Sequence, residues 1–293
     1  KVLALCTDND GDLWSGMWNG GLNHFEINGN KLKIKNSYPK INSSQNSNTS
    51  IFYLNSEANG KIWIGTFQAG VHIFDKNKQQ FTSLSELIGS KTDTIKLLTV
   101  NNIKTDLDGD TWISTQDFGL LNVNLENKSF HLYTQNLNDS LGQPAKLISF
   151  THQDHQKRLW IGTNVGLSLF NKTKETFITY TVADGLPDNN IVGMLEDDKG
   201  NLWVSSNKGL SKITVHEALG AFPQLEIRNY GITDGLQGNL FNRWAFFKSS
   251  TGHMYFGGLN GFNVFHPDSI TDNTQIPPVR LTDFYLFNQK QEP

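Results

Sequence analysis

The residues best equipped for chemistry in this chain are acidic and sit in short, turn-like strings. Asp8-Asn9-Asp10-Gly11-Asp12 spaces its carboxylates like part of a calcium loop, since hard cations take oxygen ligands from closely set acidic side chains. The same string returns as Asp106-Leu107-Asp108-Gly109-Asp110, and neither copy has the distant bidentate Glu or the flanking helices of a calcium-binding hand. A recurring structural turn is the expected reading. His152 and His155 lie close together with no Cys or further His beside them, so no metal site is assigned to them. Cys6 is the only cysteine, which rules out an internal disulfide and a multi-thiolate zinc site.

Hydrolytic chemistry finds little support. An Asp four or six residues before Trp112 approaches the Asp-box of sialidases, which need three arginines on the substrate carboxylate. The chain has only Arg158, Arg228, Arg243 and Arg280, with Arg158 in a turn and Arg280 in the tail. A carboxylate pair for glycoside hydrolysis leaves no sequence spacing, because any two acids on one face can meet in space. No catalytic residue and no cofactor are assigned. The formal net charge is −3, and the 25 Lys and Arg are scattered singly, which excludes the basic stripe of a nucleic-acid partner. No apolar run approaches the ~18 residues of a membrane span, so any membrane link runs through segments outside this chain.

The elements that must position these residues repeat. Trp14, Trp63, Trp112, Trp160 and Trp203, with Tyr255 in the same role, recur at spacings of 49, 49, 48, 43 and 52. A turn precedes each anchor, such as Glu57-Ala58-Asn59-Gly60 or Asp197-Asp198-Lys199-Gly200, with Gly-less His155-Gln156-Lys157 in the fourth copy. After each anchor come a short strand, a second turn, and Gly-Leu, Gly-Val or Gly-Phe opening another strand. Four short strands joined by hairpins make one blade, and a blade apolar on both faces must stack around an axis. The reading is all-β: a β-propeller with six four-stranded blades over residues 1–276, the tryptophans filling the spaces between sheets. A helical period shows only at Val215 to Leu219.

In a propeller the blade-linking loops and the turns between second and third strands share one face, where ligands are usually recognised around the central channel. The candidates there are Trp18 and Asn19, Phe67 and Gln68, Gln116, Asp117 and Phe118, Asn164, Asn207 and Lys208, and Asn260. In the first three blades this turn is one residue longer, seven positions from anchor to glycine instead of six, and each longer turn carries an aromatic. Trp18, Phe67 and Phe118 then either plug the channel mouth or form a stacking platform. Rings beside amides suit a sugar, whose C–H faces lie on the ring while its hydroxyls take hydrogen bonds.

Gly200-Asn201-Leu202-Trp203-Val204-Ser205-Ser206-Asn207-Lys208-Gly209-Leu210 resembles the repeat of the two-component regulator propellers. Asp184-Gly185-Leu186-Pro187-Asp188-Asn189-Asn190-Ile191 and Asp234-Gly235-Leu236-Gln237-Gly238-Asn239 are similar to that family's inter-blade phrases, and 255–267 to its last blade. The resemblance implies a periplasmic sensor region of a bacterial membrane receptor, often a hybrid histidine kinase, recognising an oligosaccharide or other small extracellular ligand. It implies homodimerisation through the receptor and a seven-bladed ring whose closing blade lies upstream of Lys1. Residues 277–293 resemble a linker and the opening strand of a triple-tyrosine β-sandwich. The alternatives are a protein-interaction or dimerisation scaffold, and a propeller glycosidase or lyase.

Overall fold

Each repeat opens with a strand that runs into an acidic turn, and the turn explains the hairpin that follows. In a computed structural model that describes residues 1–41, 49–89, 93–96, 98–134, 147–217, 222–271, 284–287 and 289–291, Asp8 caps such a turn. Its carboxylate accepts the backbone N–H of Asp10 at 3.0 Å and of Asp12 at 3.1 Å, and the indole Nε1–H of Trp14 at 2.8 Å. Asp106, Asp154 and Asp197 do the same for Trp112, Trp160 and Trp203, and Glu57 takes the indole N–H of Trp63 at 2.6 Å. A buried indole needs an acceptor, and the turn supplies it six residues upstream. The turns carry a left-handed glycine (Gly11, Gly60, Gly109, Gly200, Gly252), and in the Gly-less fourth copy Lys157 takes that conformation at φ 64°. The expectation of structural turns holds.

Six antiparallel sheets result, each pairing its strands in chain order. Their first strands, β1 (Val2–Thr7), β2 (Ile51–Ser56), β3 (Val100–Thr105), β4 (Ile148–Gln153), β5 (Ile191–Glu196) and β6 (Phe241–Lys248), pack in succession around one axis. The first five sheets have four strands. Blade six has three among the described residues, and the segment after it, 272–283, lies outside them. This is the six-bladed β-propeller expected from the repeat.

Every tryptophan anchor is buried and faces the blade that follows. Trp14 packs with Ile51, Leu54 and Phe74 of blade two, Trp63 with Val100 and Ile103 of blade three, and Trp112 with Ile148 and Leu159 of blade four. Trp160 meets Ile191 and Met194, and Trp203 meets Phe241 and Phe256. The sheets approach so closely that a Cβ on Gly16 would lie 2.4 Å from Ile51 Cγ2, so only glycine fits there. Tyr255, the sixth anchor, has no such neighbour among the described residues. It lines a wedge between blades six and one, a cavity of about 770 Å³ shared with Val2, Leu5, Phe246 and Phe247. Leu5 at 60%, Phe247 at 63% and Phe262 at 65% exposure stand on or beside this open junction, whereas the anchors of the other five are almost completely covered.

Some local expectations change. Val215 and His216 continue a strand, with Val215 opposite Leu225, and residues 218–221 lie outside the described residues. Two short helices that the periodicity missed, Leu84–Leu87 and Asp93–Lys96, sit between blades two and three. Ser83 and Glu86 form a capping box on the first, and Leu84, Ile88 and Ile95 are buried beneath the pair. Most of the strand expected after Pro277 lies outside the described residues. Phe284–Leu286 pairs antiparallel with Gln289–Gln291 in a two-stranded sheet separate, among the described residues, from the blade sheets.

Candidate functional site

The turns after the anchors and the linkers into each blade meet on one face, tied by backbone hydrogen bonds. Phe67 N–H donates to Ser50 C=O at 3.0 Å and Gln116 N–H to Thr99 C=O at 2.9 Å, and Trp18 N–H reaches Lys1 C=O at 2.9 Å. Asn19, in a left-handed conformation at φ 51°, clips its turn to the next linker: its N–H donates to Ser50 Oγ, which donates back to Asn19 Oδ1 at 2.8 Å. Gln68 repeats this at φ 54°, its N–H donating to Thr99 Oγ1 at 3.3 Å. Turns fixed at both ends hold their side chains at defined places on the mouth.

Trp18 and Phe67 meet there. Their ring centroids are 5.7 Å apart, and both pack on Phe52, at 5.9 and 5.4 Å. Trp18 remains 47% exposed, a large apolar ring held out by a fixed turn. A fourth ring comes from blade six: Trp244 lies 5.6 Å from Phe52 and donates its indole N–H to Ser149 C=O of blade four at 3.3 Å. Trp244 thus crosses between blades six, two and four. Phe118 joins none of these contacts. It stands six positions after its anchor where Trp18 and Phe67 stand four after theirs, and it packs on the apolar cluster between blades two and three.

The amides of the other candidates ring the same face without converging on the cluster. Gln116 is half-buried, and Asp117 and Asn164 are exposed. Asn207 is half-buried, and the Lys208 ammonium lies 3.9 Å from Asp188. Asn260 is held by Gln237, whose Oε1 accepts the Asn260 N–H at 2.9 Å. Sequence reasoning missed Phe52 and Trp244. The signal for Trp244 was present: of seven tryptophans, five are anchors, and the remaining two are Trp18 and Trp244.

Titratable clusters lie on the opposite face. Asp8, Asp12 and His24 come together as a metal site would require, but Lys76 and Lys35 already hold those carboxylates. Burial pushes the Asp8 carboxyl up, and the hydrogen bonds from Lys76 and Trp14 more than offset it, leaving it below the usual range. Lys76 comes from blade two, and Lys172 and Lys248 likewise reach the turns of blades three and five, so ion pairs tie neighbouring blades. Glu196 of blade five accepts from His155 of blade four, with His152 at 3.6 Å. Burial raises its carboxyl and the two histidines outweigh that, bringing it down to about 2. The Cys6 thiol is pushed up to about 12 by burial and by Asp8, which makes it a poor nucleophile.

Residues 185–208 match the two-component regulator propeller. The match spans the end of one inter-blade phrase, the Asp197 turn and the Trp203 anchor of that propeller repeat. A histidine kinase of Formosa agariphila is 26% identical over 96% of the chain, which spans 20% of that kinase. The extracellular domain of a hybrid two-component system of B. thetaiotaomicron superposes with a TM-score of 0.75 at 24% identity, covering 97% of this chain and 36% of that one. The extracellular domain of a one-component system of the same organism gives 0.52 at 20% identity, over 92% and 36%. The chain spans 20 to 36% of the length of these relatives, and the two solved structures share its propeller fold.

Proposed function

We propose that this propeller is the extracytoplasmic ligand-sensing region of a bacterial transmembrane two-component receptor, and that it recognises carbohydrate fragments at the channel mouth. The observation that carries the reading is the exposed Trp18 ring, held by a clipped turn against Phe67 and Phe52. An exposed ring costs hydration free energy that a bound ligand would relieve. The site reads as one for recognition: the rings take the C–H faces of a sugar, and Asn19, Gln68, Gln116 and Asp117 on the same face offer donors and acceptors to its hydroxyls. The periplasm is the compartment proposed for it, and residues 277–293 are proposed to lead into a following β-sandwich that carries the signal towards the membrane.

Calorimetric titration against an oligosaccharide panel tests this, with Kd on the order of micromolar expected. Product analysis of the same mixtures should show the sugars unchanged, and cleavage would turn the reading to a propeller glycosidase or lyase. The open wedge favours a second role for another surface. Its exposed apolar residues are proposed to pack against a seventh sheet of the same protein, in the place a following blade takes at Trp14 or Trp63. If a second copy fills the wedge instead, sedimentation will show a dimer that Phe247→Lys dissociates.

A further inference from the structure

The strand that brings Trp244 to the mouth is irregular, and the irregularity carries a charge. In β6, Phe241 pairs with Gly258 and Phe246 with Phe256, so residues 242–245 stand opposite Gly257 alone. Extra residues in one strand bulge out of the sheet and re-aim their side chains, a device common beside binding sites. Trp244 adopts φ 62°, a left-handed conformation that a bulky side chain holds only under constraint from its surroundings. Here Phe52 of blade two and Ser149 of blade four supply that constraint.

Arg243 occupies the same bulge. It is half-buried, and its guanidinium has neither a hydrogen-bond nor an ion-pair partner among the described residues. Burial draws its guanidinium below the ordinary value, a cost that no neighbouring carboxylate repays. Lys208, the cation that the sequence places on this face, has Asp188 3.9 Å away. With a net charge of −3 the chain as a whole does not steer anions, so selection has to act at contact range. A guanidinium presents parallel N–H donors that match the paired oxygens of a carboxylate or a sulfate ester, and it gains most where water is partly excluded.

We infer that the 242–245 bulge reads negative charge on the ligand, with Arg243 taking a carboxylate or sulfate-ester group of a sugar whose ring lies against Trp18, Phe67 and Trp244. This rests on the mouth being the carbohydrate site, and it narrows the ligand to acidic saccharides.

Tryptophan fluorescence titrations of the wild-type chain with an oligogalacturonate, a sulfated galactan oligosaccharide and a neutral galactan oligosaccharide test it, with inorganic sulfate as a sugar-free arm. At least one acidic ligand should bind about tenfold or more tighter than the neutral one, the difference between the two acidic arms telling carboxylate from sulfate. Arg243→Gln should remove that preference and the response to sulfate, while Arg243→Lys, which keeps the charge and loses the fork, should retain part of both. Neutral and acidic sugars binding alike to the wild type would overturn the inference and leave the carbohydrate reading standing, with no variant needed. An Arg243-dependent sulfate response without sugar binding would support the anion site and overturn the carbohydrate reading. No response to acidic sugars or to sulfate would overturn the inference.

Discussion

Trp18 separates two roles that one ring can play, and its contacts say how a substitution divides between them. It stacks at the edge of the cluster, so Trp18→Ala should weaken oligosaccharide binding by roughly 1 to 3 kcal/mol and cost the fold only about 1 kcal/mol. Paired calorimetry and thermal melts read both numbers, and a large fall in melting temperature with binding intact would make the ring a plug. The anchors behave oppositely. Trp203→Phe leaves the buried Asp197 without its indole donor, and a loss of about 1 to 3 kcal/mol is expected in denaturant melts. Glu196 gives a pH signature. Its carboxyl falls to about 2 from an ordinary 4.5, so its stabilisation is complete above the ordinary value and is lost as pH drops towards the lower one. The stability gap between wild type and Glu196→Gln should therefore close as the pH falls below about 4.5, as read by urea midpoints. A gap unchanged across that window would mean the histidines do not hold the carboxylate.

At the scale of the element, the turns were the most legible feature, because a recurring Asp, a recurring Gly and a recurring Trp are all imposed by one hairpin. The exception is informative. Lys157 takes the left-handed place that glycine fills elsewhere, and Lys157→Gly should stabilise the chain by about 0.5 kcal/mol, a small rise in melting temperature. A fall would show that the lysine's contact with Asp108 is worth more than the strain. The mouth was only half legible. Trp18 and Phe67 sit at equivalent places in their turns and do converge, but Phe118 stands two positions later and turns into the core, a distinction that counting aromatics per turn does not make. Phe52 and Trp244 come from first strands, where the alternation of apolar residues hides which ring faces the axis. The bulge that presents Trp244 leaves no mark in the repeat beyond a longer spacing. Short helices between blades two and three escaped because each is a single turn held by tertiary packing on Leu84 and Ile95.

For the whole molecule, five junctions are filled by buried tryptophans, and the junction between blades six and one is an open wedge among the described residues. Replacing Phe247 by Lys in the wedge should change the stability of this chain by less than about 0.5 kcal/mol, whereas a polar replacement of buried Phe74 should cost several. A large loss at Phe247 would mean that the wedge is already closed in solution. The same geometry joins the wedge to the mouth, since Phe52 and Trp244 belong to both the aromatic cluster and the cavity wall. A ligand at the mouth would therefore touch the boundary between blades six and one. A crystal structure of the chain with the tightest ligand from the oligosaccharide panel decides whether the mouth is the sugar site. A sugar ring stacked on Trp18 and Phe67 with its substituents towards Trp244 and Arg243 is expected, and a ligand seated in the wedge or on the outer blade edges, with Trp18 bare, would contradict the assignment.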